Sequence, residues 1–157
     1  MPLDQVRQLP LWAICEDTGV APQNELLPVA GGEVRLGKSK DHPLYGWDNE
    51  FGRHRFTVDD FAASKYLASN REFLEFVEAG GYQTPDFWTE EGRQWLGFSK
   101  AEHPLFWIRA GDDYRFRTMV QEVPMPWDWP VEVNYLEAKA FCNWPAKQSG
   151  QPIRLPT

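Results

Sequence analysis

A chain of 157 residues, 42% of them hydrophobic, is long enough to bury the core of one domain or to form part of a larger one. Its formal charge of −7, with no cluster of Lys and Arg, excludes a phosphate-backbone partner, whose grip rests on clustered cations. No apolar run nears the roughly 20 residues of a membrane span, and the opening MPLDQVRQLPLWAICEDTGV lacks the basic start and apolar stretch of a signal peptide. A cytoplasmic, non-membrane setting is therefore expected. Eight Trp and ten Phe place much of the apolar content in large flat side chains that need facing partners to be buried.

In chain order, residues 1–30 show no sustained period and are broken by Pro2, Pro10, Pro22 and Pro28, which reads as a lead-in or linker. A domain is expected from residue 31 onward. The pair Gly31 and Gly32 makes a turn, after which Val34 and Leu36 alternate with Glu33 and Arg35 as on a half-buried strand. The stretch DHPLYGWDNEFGRHRF is loop chemistry carrying aromatic anchors, and residues 56–67 look extended. Ser69 and Glu72 form a capping box, and Phe73, Leu74, Phe76 and Val77 give the helix after it an apolar face that Gly80 and Gly81 close. Thr84 and Pro85 read as the cap and first turn of a short helix burying Phe87, Trp88 and Trp95, with Gly92 and Gly97 making it irregular.

Leu105 to Arg109 and Tyr114 to Thr118 flank AGDD and predict a β-hairpin. In MPWDWPVEVNYLEAKAFCNW, Pro126 and Pro130 hold their neighbours extended. Asn134 and Glu137 then form a second capping box, opening a helix apolar over more than one face and therefore expected to be buried. Pro145 should end or kink that helix just after Trp144. Small strands among short capped helices and aromatic loops, without a βαβ rhythm, define an α+β fold.

Bland readings outweigh most of the candidate chemistry. His42, His54 and His103 share no helix face, which argues against a metal triad. Asp48, Asn49 and Glu50 lack the spaced pattern of a calcium loop and read as a hydrogen-bonded loop anchor. Cys142 reads as core, and with Cys15 far away two reduced thiols are expected, a bond between them being the alternative. GGEVRLGK lacks the spacing and closing Ser or Thr of a phosphate loop. Trp127, Asp128 and Asn134 are the substrate-cleft candidates, because a Pro-stiffened aromatic segment feeding a helix N-terminus offers stacking surface and N–H donors. Plain core packing is the alternative for all three.

The segments GGEVRLGK, YGWDNEFG, LASNREFLEFVEAGGY, FWTEEGRQW, PVEVNYLEAKAFCNW and RLPT, in this order over residues 31–157, resemble the formylglycine-generating-enzyme-like domain of the sulfoxide synthases. PMPWDWPVEVNYLEAKAF with YGWDNEFG resembles most closely the ovothiol branch, the histidylcysteine sulfoxide synthases. The resemblance implies a C-type-lectin-like α+β fold of which this chain holds the first part, cut after RLPT. It also implies a parent enzyme that uses iron(II) and oxygen to couple cysteine to histidine. The second half of the domain, with its catalytic tyrosine, and a DinB-type helical domain carrying the iron ligands would be the partners. None of those ligands maps onto a residue here. The ergothioneine-pathway synthase, the formylglycine-generating enzyme and a non-catalytic lectin-like binding module are the alternatives.

Overall fold

The computed structural model describes Gln5 and residues 19–156. Cys15 lies outside the described residues, so its relation to Cys142 does too. The chain divides into two units, residues 23–66 and the remainder.

The smaller unit is built from two antiparallel ribbons. Strand β1 (Leu26–Val29) pairs with β4 (Phe61–Ser64), and β2 (Gly32–Leu36) pairs with β3 (His54–Val58). The strand β1 thus falls inside the segment read as a lead-in or linker. Pro28 is tolerated because each strand of a two-stranded ribbon is an edge with a free side. At Gly31 a Cβ would stand 2.5 Å from the Val58 carbonyl oxygen, so only glycine fits the crossing. The register puts Val34, Leu36, Phe56 and Val58 on one face of the second ribbon and Glu33, Arg35, Arg55 and Thr57 on the other.

The loop between β2 and β3 is anchored through WDNE. Lys38 N donates to the Glu50 carbonyl (2.8 Å), Gly52 N to the Lys38 carbonyl (3.1 Å), and Trp47 N to the Glu50 carboxylate (3.0 Å). Asp48 to Glu50 form a single 3₁₀ turn, and the Asp48 carboxylate accepts Asn49 N. The hydrogen-bonded anchor read from the sequence is there. Tyr45 and Trp47, expected to pin the loop, are instead exposed and touch each other edge-on at 5.5 Å.

The larger unit holds helices α1 (Asn70–Glu78), α2 (Glu90–Ser99) and α3 (Tyr135–Ser149), and a three-stranded antiparallel sheet. Its strands are β5 (Trp107–Ala110), β6 (Asp113–Arg117) and β7 (Glu122–Pro124), in that order. Mixed helices and small antiparallel sheets are an α+β fold, as expected. The hairpin gains a third strand, β7, that the sequence reading lacked; Pro124 is accommodated on its outer edge.

The capping box of α1 forms as read: Ser69 Oγ accepts Glu72 N (3.2 Å) and the Glu72 carboxylate accepts Ser69 N (2.7 Å). The next expectation needs correction. Thr84 makes no side-chain cap, Pro85–Phe87 is one 3₁₀ turn, and the long helix is capped by Thr89, whose Oγ1 accepts Gly92 N at 3.1 Å.

The core is aromatic. Phe73 and Phe76 are fully buried, and Phe76 lies within 6.5 Å, centroid to centroid, of Phe73, Tyr82, Phe87, Trp88, Phe141 and Trp144. Gly81 is required beside it, since a Cβ there would meet the Phe76 ring at 2.4 Å. Helix α3 packs on α1, α2 and the Pro85–Phe87 turn from one side, so only Glu137 and Ala140 are buried on it, while Phe141, Cys142 and Trp144 are half-buried. The expectation of a buried helix, apolar over more than one face, is corrected accordingly. The helix also does not end at Pro145 but runs on to Ser149, although proline removes one N–H bond and crowds the carbonyl four residues before it. Ser149 Oγ donates to the Pro145 carbonyl (2.7 Å), and Gly150, at φ 70°, closes the end by donating to the Ala146 carbonyl (2.9 Å).

Candidate functional site

The segment 125–134 is bolted to the start of α1. Asn70 N donates to the Trp129 carbonyl (2.8 Å), Arg71 N to the Trp127 carbonyl (3.0 Å), and Val131 N to the Ala68 carbonyl (2.9 Å). The first two bonds satisfy N–H groups that a helix start leaves without intrahelical partners. The Asn70 side chain, fully buried, donates to the Pro126 carbonyl (2.8 Å) and accepts Trp107 Nε1 (3.2 Å), tying helix, loop and sheet together. A buried amide is costly unless so paired.

On this frame Trp127 is half-buried, its ring edge-on to Trp107 at 5.8 Å and covered by the Arg71 guanidinium at 4.3 Å, a close cation–π contact. Asp128 Oδ2 accepts Gly19 N at 2.8 Å, whereas Asp128 Oδ1 is buried and has no hydrogen-bond partner among the described residues. Such an orphan acceptor is rare in folded proteins and calls for a donor. Asn134 is a cap: its Oδ1 accepts both Leu136 N (2.9 Å) and Glu137 N (3.0 Å), so the two N–H groups of that helix start are already engaged. Trp127 and Asp128 thus share one loop, and Asn134 sits at the head of α3.

Behind Asn134 lies a group the sequence reading missed. Glu137, only 3% exposed, accepts the Tyr82 hydroxyl (2.6 Å) on one oxygen and Asn134 N (2.9 Å) on the other. Burial pushes the Glu137 carboxyl above the ordinary range, against the hydrogen bonds from Tyr82 and Asn134 that favour its charge. Burial, with the Glu137 charge, raises the Tyr82 hydroxyl strongly. The capping box announced Glu137, but Tyr82 is 55 residues away and only GGY after α1 marked it. Burial likewise raises the Cys142 thiol, which leaves it a poor nucleophile at neutral pH. Among the described residues no three His, Cys, Asp or Glu side chains gather to hold a metal ion, and no helix is long and apolar enough to cross a membrane.

This α+β chain, with its Asn-capped helix and the GGY tyrosine bound to the cap glutamate, is matched over residues 14–157 by the family model of the sulfatase-modifying factor enzyme 1-like domain. It belongs to that family. It is 33% identical over 140 residues to a hercynine oxygenase of Mycolicibacterium smegmatis, covering 88% of this chain and 30% of that protein. A hercynine oxygenase of Mycobacterium tuberculosis is 34% identical over 112 residues, 70% of this chain and 24% of that protein. The formylglycine-generating enzyme of Bos taurus is 28% identical over 153 residues, 87% of this chain and 38% of that protein. The chain therefore spans less than a third of the length of the hercynine oxygenases it matches.

Proposed function

We propose that this chain is the first part of the substrate domain of an iron(II)- and oxygen-dependent sulfoxide synthase. The observation that carries this reading is the family match over residues 14–157 together with a hercynine oxygenase 33% identical across 88% of the chain. The reaction needs no reductant beyond its substrates: an imidazole C–H, a thiol and one O₂ become a C–S bond bearing a sulfoxide oxygen, plus one water. The described residues do not fit an iron site, since no three His, Cys, Asp or Glu side chains among them gather. By the family resemblance, its ligands would come from a DinB-type helical domain and the catalytic tyrosine from the second half of this domain.

The contribution of this chain is scaffold and pocket wall. Asn134 and Glu137 fix the start of α3, and the Trp127–Asp128 loop, pinned by the carbonyl bonds to α1, would set the half-exposed Trp127 ring against the imidazole substrate. For the substrates, YGWDNEFG and PMPWDWPVEVNYLEAKAF favour histidine and cysteine, the ovothiol reaction. The hercynine oxygenases among the relatives favour a second reading, a trimethylated histidine as acceptor.

The test is to supply the full-length protein with iron(II), oxygen and cysteine, and to follow products by mass with histidine, with trimethylhistidine, or with a cysteine-bearing sulfatase peptide alone. A histidyl sulfoxide supports the first reading, a trimethylhistidyl sulfoxide the second. Formylglycine on the peptide, or no product at all, removes the synthase reading. In the same assay Trp127→Ala should raise the Michaelis constant for the imidazole substrate about tenfold or more, the loss of one stacking and cation–π surface. An unchanged constant in a folded variant would show that Trp127 is core packing.

A further inference from the structure

A recess of about 290 Å³ opens between the end of α1, the turn that follows it and the β5–β6 hairpin. It is lined by Val77, Glu78, Gly80, Gln83, Glu102, Arg109 and Tyr114. Trp127, Asp128 and Asn134 are not among these residues, so the recess is separate from the loop described above. Its size falls just under the roughly 300 to 1,000 Å³ of small-molecule sites, which limits a ligand to amino-acid size.

Its charges are mixed and solvent-exposed. Glu78, Glu102 and Arg109 all face one concavity, yet none of them is in an ion pair or a side-chain hydrogen bond among the described residues. Arg109 has only the face of Tyr114, at 5.9 Å. Glu78 is moreover the last residue of α1, where the helix's own carbonyl end is negative, and no basic residue stands in that last turn to offset it. Two carboxylates and a helix C-terminus against one guanidinium make the recess a trap for positive charge that keeps one fixed anion receptor. The wall carrying that receptor is held in place: the Tyr114 ring packs on Trp107 at 5.0 Å and on His103 at 5.4 Å, and Trp107 is 2% exposed.

We propose that this recess binds a cationic α-amino acid of the arginine or lysine type. Its carboxylate is taken by Arg109, and its α-ammonium and side-chain cation are taken by Glu78 and Glu102. Two positive groups and one negative group in the ligand meet two negative and one positive in the wall, so each charge finds its opposite. The Gln83 amide is at hand for the remaining N–H groups, and the Tyr114 ring offers a face to the planar or aliphatic side chain.

Titration calorimetry on the full-length protein tests this with L-arginine, with agmatine, which lacks the carboxylate, and with L-citrulline, which lacks the side-chain charge. The expected result is saturable one-to-one binding of arginine, with agmatine and citrulline each at least tenfold weaker. Arg109→Gln should bring arginine down to the level of agmatine and leave agmatine unchanged. Glu78→Gln or Glu102→Gln should weaken arginine at least tenfold, and whichever faces the side-chain cation should leave citrulline unchanged. All three side chains are exposed, so these variants keep the fold, which circular dichroism verifies. The absence of saturable arginine binding at millimolar concentration overturns the proposal, as does wild-type affinity in all three variants. Neither result bears on the synthase assay, which uses other substrates.

Discussion

Residues 23–66 and residues 67–156 both carry amphipathic patterns, and they put them to opposite use. In the larger unit the pattern becomes a core, with Phe73, Phe76 and Trp107 at most 2% exposed. In the smaller unit no described residue is buried, and Val34, Leu36 and Phe56, which share one ribbon face, are between 41% and 54% exposed. The charged face of that ribbon holds Glu33 against Arg35 (3.3 Å) and Arg55 (3.4 Å), exposed ion pairs of a kind that contribute about 0 to 1 kcal/mol each. Alternation decides which side chains share a face, while burial needs a second element to cover it. In the larger unit that cover comes with polar clamps across long sequence separations: Asn70 to Pro126 and Trp107, and Tyr82 to Glu137.

The contrast predicts a steep ranking of substitutions. Phe76→Ala, which removes a fully buried ring with six aromatic neighbours, should cost about 3 to 5 kcal/mol in denaturant unfolding of the intact protein. A cost below about 1 kcal/mol would mean that the aromatic cluster is not where folding energy resides.

Glu137→Ala should come next, at about 2 to 3 kcal/mol, because it strips the α3 capping box and leaves the buried Tyr82 hydroxyl without its acceptor. The pH dependence has a definite sign. Burial raises the Glu137 carboxyl above its ordinary value of 4.5, so the folded chain holds that proton more tightly than the unfolded chain. The stability this group contributes is complete below 4.5 and is lost as pH rises through the folded value. Glu137→Gln, which still accepts Asn134 N and donates to the Tyr82 oxygen, should therefore gain on the wild type between pH 4 and 7. A constant difference across that range would mean that burial does not set the charge state.

Phe56→Ser belongs at the bottom of the ranking, under about 1 kcal/mol in the same unfolding measurement, since half the side chain is already in water. A loss as large as that of Phe76→Ala would show that the ribbon face is covered in the intact protein and would remove the contrast.

What was legible in the sequence was local. The boxes Ser69 with Glu72 and Asn134 with Glu137 bracket four residues each and formed as read. The hairpin around AGDD followed from alternation, as did the strand after Gly31 and Gly32. The failures have two sources: a distant strand partner in one case, and bonds just beyond the short motif in the others. Pro22 and Pro28 spoke against a strand in residues 1–30, yet β1 is made by pairing with Phe61–Ser64. Thr84 and Pro85 looked like a helix start, whereas the Trp88 indole, bound to the Gly81 carbonyl at 2.8 Å, accompanies a turn there and a new start at Thr89. Pro145 was read as ending or kinking the helix after Trp144; α3 does not end there but runs to Ser149 and is closed by bonds to the Pro145 and Ala146 carbonyls. Asn134 was singled out correctly as a cap. The Tyr82 bond to the neighbouring cap glutamate was invisible because nothing local relates residues 82 and 137.

The difference between the two units is tested most directly by native-state hydrogen exchange on the intact protein, read amide by amide. The account predicts that α1 and α3 amides such as Phe76 and Phe141 exchange only through global unfolding. Amides of β2 and β3 such as Val34 and Phe56 should open locally, at a free energy several kcal/mol lower. Equal protection of the two sets, all tracking global stability, would contradict it.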